Sequence, residues 1–177
     1  MQASKPVKAS QVILSQSMGV ADANLINFVH GGVIMRLVDS AGGLAAMKHS
    51  EGTVVTAAID EMSFIEPIAL GDLVTVRASV NDVGTTSMEV GVRVETENVV
   101  TGRKAHASTA YLVFVALDSR GQKRLVPKLM AQTDEEKRRM REAKLRRQAR
   151  LARRESIRAG SESALTGPPA ENEPSSS

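Results

Sequence analysis

Residues 30–49 read HGGVIMRLVDSAGGLAAMKH, and this stretch decides the fold. Apolar side chains recur in it at spacings of three and four residues, which is typical of an amphipathic helix. They are Val33, Ile34, Leu37, Val38, Ala41, Leu44, Ala45 and Met47. The pattern predicts one helix from His30 to about His49. Small residues fill its middle, from Ser40 to Gly43, which lets another backbone come close at some cost in helix stability.

Strand-like segments lie on both sides of this helix. One precedes it, Val7–Met18, and four follow it: Val54–Phe64, Asp72–Val83, Ser87–Asn98 and Arg103–Asp118. The second and third of these four alternate apolar and polar residues, as half-buried antiparallel strands do. The separators EPIALGD, NDVGTT and VVTGR have turn chemistry and leave no room for crossover helices. The order predicts an α+β fold, with an antiparallel sheet packed on one long helix.

The composition excludes several kinds of site. The chain of 177 residues contains no cysteine, which excludes disulfides, thiol nucleophiles and thiolate metal sites. Neither His49 nor His106 has a ligand partner at a useful spacing, so we expect no metal, and no nucleophile elbow indicates a serine hydrolase. The first residues lack the apolar region of a secretory signal, and no apolar run is long enough to cross a membrane. These features predict a soluble, cytoplasmic protein.

The excess of basic residues lies in one segment near the end of the sequence, and three glutamates in residues 159–177 reduce it to the net charge of +3. Residues 1–133 hold 12 basic and 12 acidic side chains, whereas residues 134–158 hold 11 basic and 5 acidic ones. Thr133 and Glu136 have the spacing of a capping box, which predicts a basic helix over residues 133–158 after a domain of residues 1–132. Residues 159–177 are rich in Ser, Pro, Glu and Gly, which predicts a disordered tail.

The basic helix permits more than one interpretation. Eleven Lys and Arg residues in one segment suit contact with nucleic-acid phosphates. The helix has no aromatic residue for base stacking, and acidic residues are interspersed with the basic ones. A solvated helix is therefore favoured over a nucleic-acid partner. Packing on a neighbouring subunit is equally open.

The long helix is predicted to begin on Gly31 and Gly32, which have no side chain to cap it. A Gly-Gly pair often makes only a tight turn into a helix. The functional alternative is that bare N–H groups at a helix N-terminus polarise a carbonyl or stabilise an oxyanion. His30 directly before the pair and Asn24 six residues upstream favour this second interpretation. His30 is assigned a supporting role, because a lone histidine at a helix start commonly makes local hydrogen bonds.

Asp39 lies beside the apolar stripe of the same helix. A helical aspartate is usually a solvated surface residue. Next to apolar and small residues, its carboxylate is also suited to act as a base or a nucleophile. Seven residues separate Asp39 from Gly32, which is roughly 10 Å along a helix axis. A single chain would struggle to bring both to one reacting carbon, and a second subunit would close that gap.

Several separate stretches closely resemble the hotdog-fold acyl-CoA thioesterases of the cytosolic acyl-CoA hydrolase type. They are DANLINFVHGGVIMRLVDSAG, VVTAAIDEMSFIEPIALGD, VGTTSMEV and YLVFVALD with the later LVP, in this order and spacing. The resemblance covers about residues 8–133. It implies a hotdog fold, in which a curved antiparallel β-sheet wraps around one long central α-helix. It also implies homodimers with active sites at their interface, commonly assembled into hexamers.

The resemblance assigns roles to particular residues. Asn24 of one chain is expected to face Asp39 of its partner and to orient the water or the thioester. The helix start at Gly31 and Gly32, with His30, is expected to polarise the thioester carbonyl. Asp39 is expected to act as general base on water or as nucleophile through an anhydride, two routes that the sequence does not separate. Positions that match the substrate and CoA path of the family are Thr56, Ser63, Phe64, Gly84, Thr85, Thr86, Ser87 and Met88.

Two residues depart from the family's pattern. Asn27 stands where relatives usually carry glycine, and Phe28 stands where they carry a small or polar residue. Asparagine is the non-glycine residue that best tolerates a left-handed backbone, so we expect the turn to survive. The bulky ring of Phe28 is expected to line or narrow the acyl site.

The resemblance is compatible with one alternative function for the domain and with one additional role for the basic helix. The alternative function is a non-catalytic acyl-CoA-binding sensor of the same fold, which the retained Asp39 disfavours. The sequence predicts an enzyme that releases a free fatty acid and coenzyme A. No cofactor is expected, since coenzyme A is part of the substrate and product. Screening of the CoA 3′-phosphate by the basic helix stays open.

Overall fold

The computed structural model describes residues 4–165. The strands are β1 (Ser4–Pro6), β2 (Val12–Ser17), β3 (Val54–Phe64), β4 (Leu73–Val83), β5 (Ser87–Glu97), β6 (Lys104–Ala116) and β7 (Lys128–Met130). The α-helices are α1 (Gly31–Ser50) and α2 (Asp134–Leu165), and Val7–Ser10 and Val20–Asp22 form short 3₁₀ turns. Within residues 4–165, no helix is long and apolar enough to cross a membrane.

Five strands form one antiparallel sheet in the order β2-β4-β5-β6-β3. The four strands predicted after the helix therefore exist, and the predicted α+β class is confirmed. β3 lies at one edge and pairs with β6 through two register shifts, which bend it. A separate pair, β1 with β7, is parallel and was not predicted.

The core lies between α1 and one face of this sheet, called here the inner face. Val38, Ala41 and Ala45 of the helix are 0% exposed. A methyl group at Gly42 would come within 3.0 Å of the Phe114 ring, so the helix lies close to the sheet only because this residue is small. The sheet contributes Val74, Val76, Val80, Val90, Val94, Leu112 and Phe114, all buried. Full burial of one such aliphatic side chain contributes about 1.5–3 kcal/mol, so this interface is the main source of stability.

The first predicted strand starts later than expected. Val7–Ser10 is a 3₁₀ turn, and β2 begins only at Val12. The buried Ser10 hydroxyl donates to the Val7 carbonyl (2.7 Å) and accepts from the Val80 N–H (3.0 Å). The turn is therefore held by a side-chain hydrogen bond to β4, which sequence alternation does not reveal.

The basic helix begins as predicted but ends later. The Glu136 N–H donates to the Thr133 hydroxyl (3.2 Å), and the Thr133 N–H donates to the Glu136 carboxylate (3.1 Å), which is the predicted capping box. α2 continues to Leu165, seven residues past the predicted end, because no proline lies between Asp134 and Pro168 and one glycine costs only about 1 kcal/mol. The tail predicted to be disordered is residues 159–177; α2 includes its first seven residues, and residues 166–177 lie outside the described residues.

The chain divides into two compact units, Met1–Lys144 and Leu145–Ser177. The first unit contains the sheet, α1 and the first turns of α2. The division falls within α2, and the separation of a domain of residues 1–132 from the basic helix stays a prediction. Ala143 of the first unit is 1% exposed, so these first turns of α2 are part of the packed domain.

Candidate active site

The loop before α1 is shaped by Asn24. Its side-chain oxygen accepts hydrogen bonds from the N–H groups of Ile26 (2.9 Å) and Phe28 (3.1 Å). The Asn24 N–H donates to the Phe28 carbonyl (2.7 Å), which closes the turn. Asn27 at the turn has φ of 60°, so the predicted left-handed backbone is confirmed. Because Oδ1 is engaged by the loop, the amide of Asn24 is left with Nδ2 as its donor toward any other group.

His30 caps the N-terminus of α1. Its Nδ1 accepts a hydrogen bond from the Gly32 N–H (2.9 Å), and its carbonyl accepts from the Val33 N–H (2.9 Å). An acceptor Nδ1 carries no proton, so the hydrogen of the neutral imidazole is on Nε2. Of the two glycines predicted to polarise a carbonyl, only Gly31 keeps its N–H available. The capping side chain that the sequence seemed to omit is the imidazole itself.

Phe64 stands over the first turn of α1. A methyl group at Gly31 would lie 3.4 Å from Cζ of the Phe64 ring. The ring is 55% exposed, which is unusual for phenylalanine. Ser63, the neighbouring residue, accepts on its carbonyl a hydrogen bond from the Ser108 hydroxyl (2.8 Å), which fixes the end of β3. Phe64, a predicted substrate-path residue at the end of β3, thus lies beside the helix start with its neighbour Ser63.

Asp39 is joined to β3 by a hydrogen bond from Thr56. The Thr56 hydroxyl donates to Oδ1 of Asp39 at 2.7 Å. Asp39 is partly buried and Thr56 is exposed, so this pair lies at the surface of the single chain. The bond fixes the carboxylate and leaves Oδ2 open to a water molecule or a substrate carbon. The resemblance predicts Thr56 on the substrate path, and its hydrogen-bond partner in the structure is Asp39.

Asp39 and the helix start stay apart within one chain. Eight residues separate Gly31 from Asp39, which is about 12 Å along an α-helix. Apolar residues around this region are exposed, as at an interface that needs a partner. They are Leu25, Ile26, Phe28, Met35, Val55, Ile59 and Ile65.

The segment predicted to contact CoA comprises the hairpin turn between β4 and β5 and the first two residues of β5. The Gly84 N–H donates to the Ser87 carbonyl (2.7 Å), and the carbonyls of Thr85 and Thr86 accept from Val126 and Ala116. Met88 is 1% exposed and packs in the core, so its side chain is not available to CoA. Side chains along β5 alternate between the two faces of the sheet, and Met88 lies on the inner face with Val90.

Two buried groups were not anticipated by the sequence analysis. His49 is fully buried, its Nε2 bonds the Pro127 carbonyl (2.9 Å), and burial lowers its pKa. Asp72 is buried directly before β4 and accepts a hydrogen bond from the Thr96 hydroxyl (2.9 Å). Among residues 4–165, no group of three His, Cys, Asp or Glu side chains is placed to hold a metal ion.

Comparison with known proteins identifies the family. The family model "Thioesterase superfamily" matches residues 26–102. An uncharacterized acyl-CoA thioester hydrolase of Bacillus subtilis is 38% identical over 129 residues, which are 73% of this chain and 75% of that protein. The chain belongs to the acyl-CoA thioester hydrolases. The cytosolic acyl coenzyme A thioester hydrolase of Mus musculus is 34% identical over 78% of this chain, which spans only 37% of the mouse protein.

Solved structures of this family confirm the hotdog fold. An apo-hexameric acyl-CoA thioesterase superposes with a TM-score of 0.83 at 36% identity, covering 85% of this chain and 97% of that one. An acyl-CoA hydrolase from Staphylococcus aureus, in complex with butyryl coenzyme A and coenzyme A, superposes with a TM-score of 0.83 at 32% identity. It covers 92% of this chain and 99% of that one. Solved variants of the S. aureus enzyme replace an asparagine, an aspartate or a threonine by alanine.

Proposed function

We propose that this hydrolase cleaves acyl-CoA to a free fatty acid and coenzyme A, with Asp39 as the residue that activates water or attacks the thioester. The observation that carries the proposal is the bond from Thr56 to Asp39 at 2.7 Å, which orients a carboxylate on the central helix. As a general base, Asp39 would take a proton from water while the water oxygen bonds the thioester carbon. The carbon–sulfur bond then breaks, and the CoA thiolate takes up a proton.

The spacing of three residues supports this assignment. In the S. aureus enzyme, the asparagine, aspartate and threonine that were replaced stand fifteen and seventeen residues apart. Asn24, Asp39 and Thr56 have the same two separations here. The three positions therefore correspond in order and in spacing. Thr56 acts in this proposal as a positioning residue, because it touches the carboxylate.

The helix start supplies the groups that stabilise negative charge on the carbonyl oxygen. The Gly31 N–H is available and lies at the positive end of the α1 dipole. The Gly32 N–H is engaged by His30, so Gly32 contributes a bare surface and no donor. The imidazole Nε2–H of His30 is the second donor in this proposal.

The site is proposed to be shared between two copies of the chain. The roughly 12 Å along α1 between Gly31 and Asp39 keeps one chain from completing the site. The exposed apolar residues of the Asn24 loop and of β3 suit burial against a second copy. A hexameric relative with the same fold supports oligomeric assembly. Asn24, through Nδ2, would then face the partner's carboxylate. The name of the mouse relative supports a cytosolic location.

Release of free thiol from a panel of acyl-CoA esters, acetyl to palmitoyl, tests the function. The wild-type chain is compared with Asp39→Asn, which keeps the shape of the side chain and removes its basicity. We expect kcat to fall by at least about 10²-fold, the usual contribution of a general base, with unchanged oligomeric state. Wild-type turnover by Asp39→Asn, or no turnover of any ester by the wild type, would contradict the proposal.

Single turnover in ¹⁸O-labelled water detects the anhydride route when water opens the anhydride at the aspartyl carbonyl. General-base attack places the label only in the fatty acid. An anhydride that is opened at the aspartyl carbonyl leaves ¹⁸O in Asp39, seen as a mass increase of the peptide that contains it.

A further inference from the structure

The outer face of the sheet, opposite α1, carries a cavity under the first turns of α2. Its volume is about 440 Å³, within the range of small-molecule sites. Its charged lining consists of Arg77, Arg93, Arg138 and Arg139 against Glu135 and Glu142. Arginines thus come from both the floor and the cover of the cavity and outnumber the acidic residues.

The floor of the cavity places two positive charges side by side. Arg77 and Arg93 are directly paired in the β4–β5 register, where like charges disfavour the sheet. A single carboxylate, Glu95, accepts from the Nε of Arg93 (3.0 Å) and from the Nε of Arg77 (3.1 Å). These two bonds hold the pKa of Glu95 below its usual range, so it stays ionised. One negative charge thus faces two positive ones, which leaves this group with a net charge of +1.

The arginines keep most of their donors for another partner. Each of the two floor guanidinium groups uses its Nε for Glu95, and no residue of the described chain bonds their Nη atoms. In the cover, Arg138 bonds Glu142 (2.7 Å) and Arg139 bonds Glu135 (2.5 Å), each through one Nη atom. The paired N–H groups of a guanidinium are the part that binds two oxygens of one phosphate.

We propose that this cavity binds a phosphate-bearing anion on the floor arginines Arg77 and Arg93. The phosphates belong either to a free anion such as pyrophosphate or to the CoA moiety, which carries phosphates of its own. The site lies across the sheet from Asp39, so binding of the anion does not require thioester hydrolysis.

Thermal unfolding of the full chain with inorganic pyrophosphate tests the proposal. At millimolar pyrophosphate and low salt, we expect the wild-type Tm to rise by about 2–5 °C, as ligation of the folded state requires. Arg93→Gln should remove the rise. Arg103→Ala is the matched control, since Arg103 is also an exposed arginine in one ion pair, with Glu66, and lies outside the cavity. It should keep the full rise.

Arg93→Lys separates recognition by a forked guanidinium from attraction to charge alone. It should bind pyrophosphate at least about tenfold more weakly than the wild type, because a lysine cannot bond two oxygens in one plane. A KM for acyl-CoA that rises in Arg93→Gln assigns the phosphates to CoA, and an unchanged KM assigns them to a free anion. No Tm rise for the wild type, an equal rise for Arg93→Gln, or wild-type affinity in Arg93→Lys would overturn the proposal.

Discussion

Replacing Thr56 by valine removes the hydroxyl that holds Asp39 and keeps the branched shape that suits a strand. A hydrogen bond to a charged group contributes about 1.5–3 kcal/mol. Because Asp39 is only partly buried and Thr56 is exposed, we take the lower part of this range, about 1.5–2 kcal/mol. Since each 1.36 kcal/mol is tenfold in rate, kcat of Thr56→Val should fall by about 10–30-fold. KM should stay within about twofold of the wild-type value, because the interactions that bind substrate and transition state equally are unchanged.

The assay is release of free thiol from the ester that the wild type turns over fastest. Thr56→Ser is the matched control, since it restores the hydroxyl and should stay within about threefold of wild-type kcat. Thermal unfolding of both variants separates a loss of positioning from a loss of folding. Thr56→Val with wild-type kcat, or Thr56→Ser as slow as Thr56→Val, would refute the assignment of Thr56 to the carboxylate.

Two further predictions follow from the loop and from the buried histidine. Asn24→Asp keeps the side-chain oxygen that accepts hydrogen bonds from Ile26 and Phe28 but removes the Nδ2 donor. This variant should therefore fold like the wild type and lose at least about tenfold in kcat. Asn24→Ala removes the oxygen as well, so it should also lower Tm. If Asn24→Asp were as active as the wild type, the donor role would be wrong. Burial lowers the pKa of His49, so the unfolded chain binds a proton at this histidine more readily than the folded chain does. The free energy of unfolding should therefore be highest above about pH 6.5 and should decline as the pH falls below that value. Tm measured at pH 8 and pH 5.5 should fall less in His49→Gln than in the wild type; an equal fall would exclude His49 as the cause.

The elements that the sequence predicted well are those with a regular hydrophobic period. α1 begins and ends one residue from the prediction, and β3 matches it at both ends. The strand prediction is wrong over Val7–Ser10, because the turn there depends on a hydrogen bond to Ser10 from the Val80 N–H, seventy positions away in the chain. The parallel pairing of β1 with β7 likewise joins the two ends of the domain, and strands of three residues leave no alternation to read.

The sequence named candidate residues for the site, but it did not predict the hydrogen bonds that they make. The resemblance paired Asn24 with Asp39 and placed Thr56 on the substrate path, and the left-handed turn at Asn27 followed from residue chemistry. That His30 occupies the Gly32 N–H depends on one side-chain torsion, which no spacing encodes. That Thr56 reaches Asp39 depends on how β3 bends over α1, because register shifts follow directly after Thr56.

The most direct test of the account is complementation between two inactive chains. If Asn24 and Asp39 act across a subunit interface, Asn24→Ala and Asp39→Ala are each defective as homo-oligomers. Co-refolding them produces mixed dimers in which one site carries both lesions and the other carries neither. Half of randomly paired dimers are mixed, so thiol release should recover to about a quarter of wild type. Activity that stays at the level of the separate variants, with mixed oligomers confirmed by mass, would contradict a site shared between two chains.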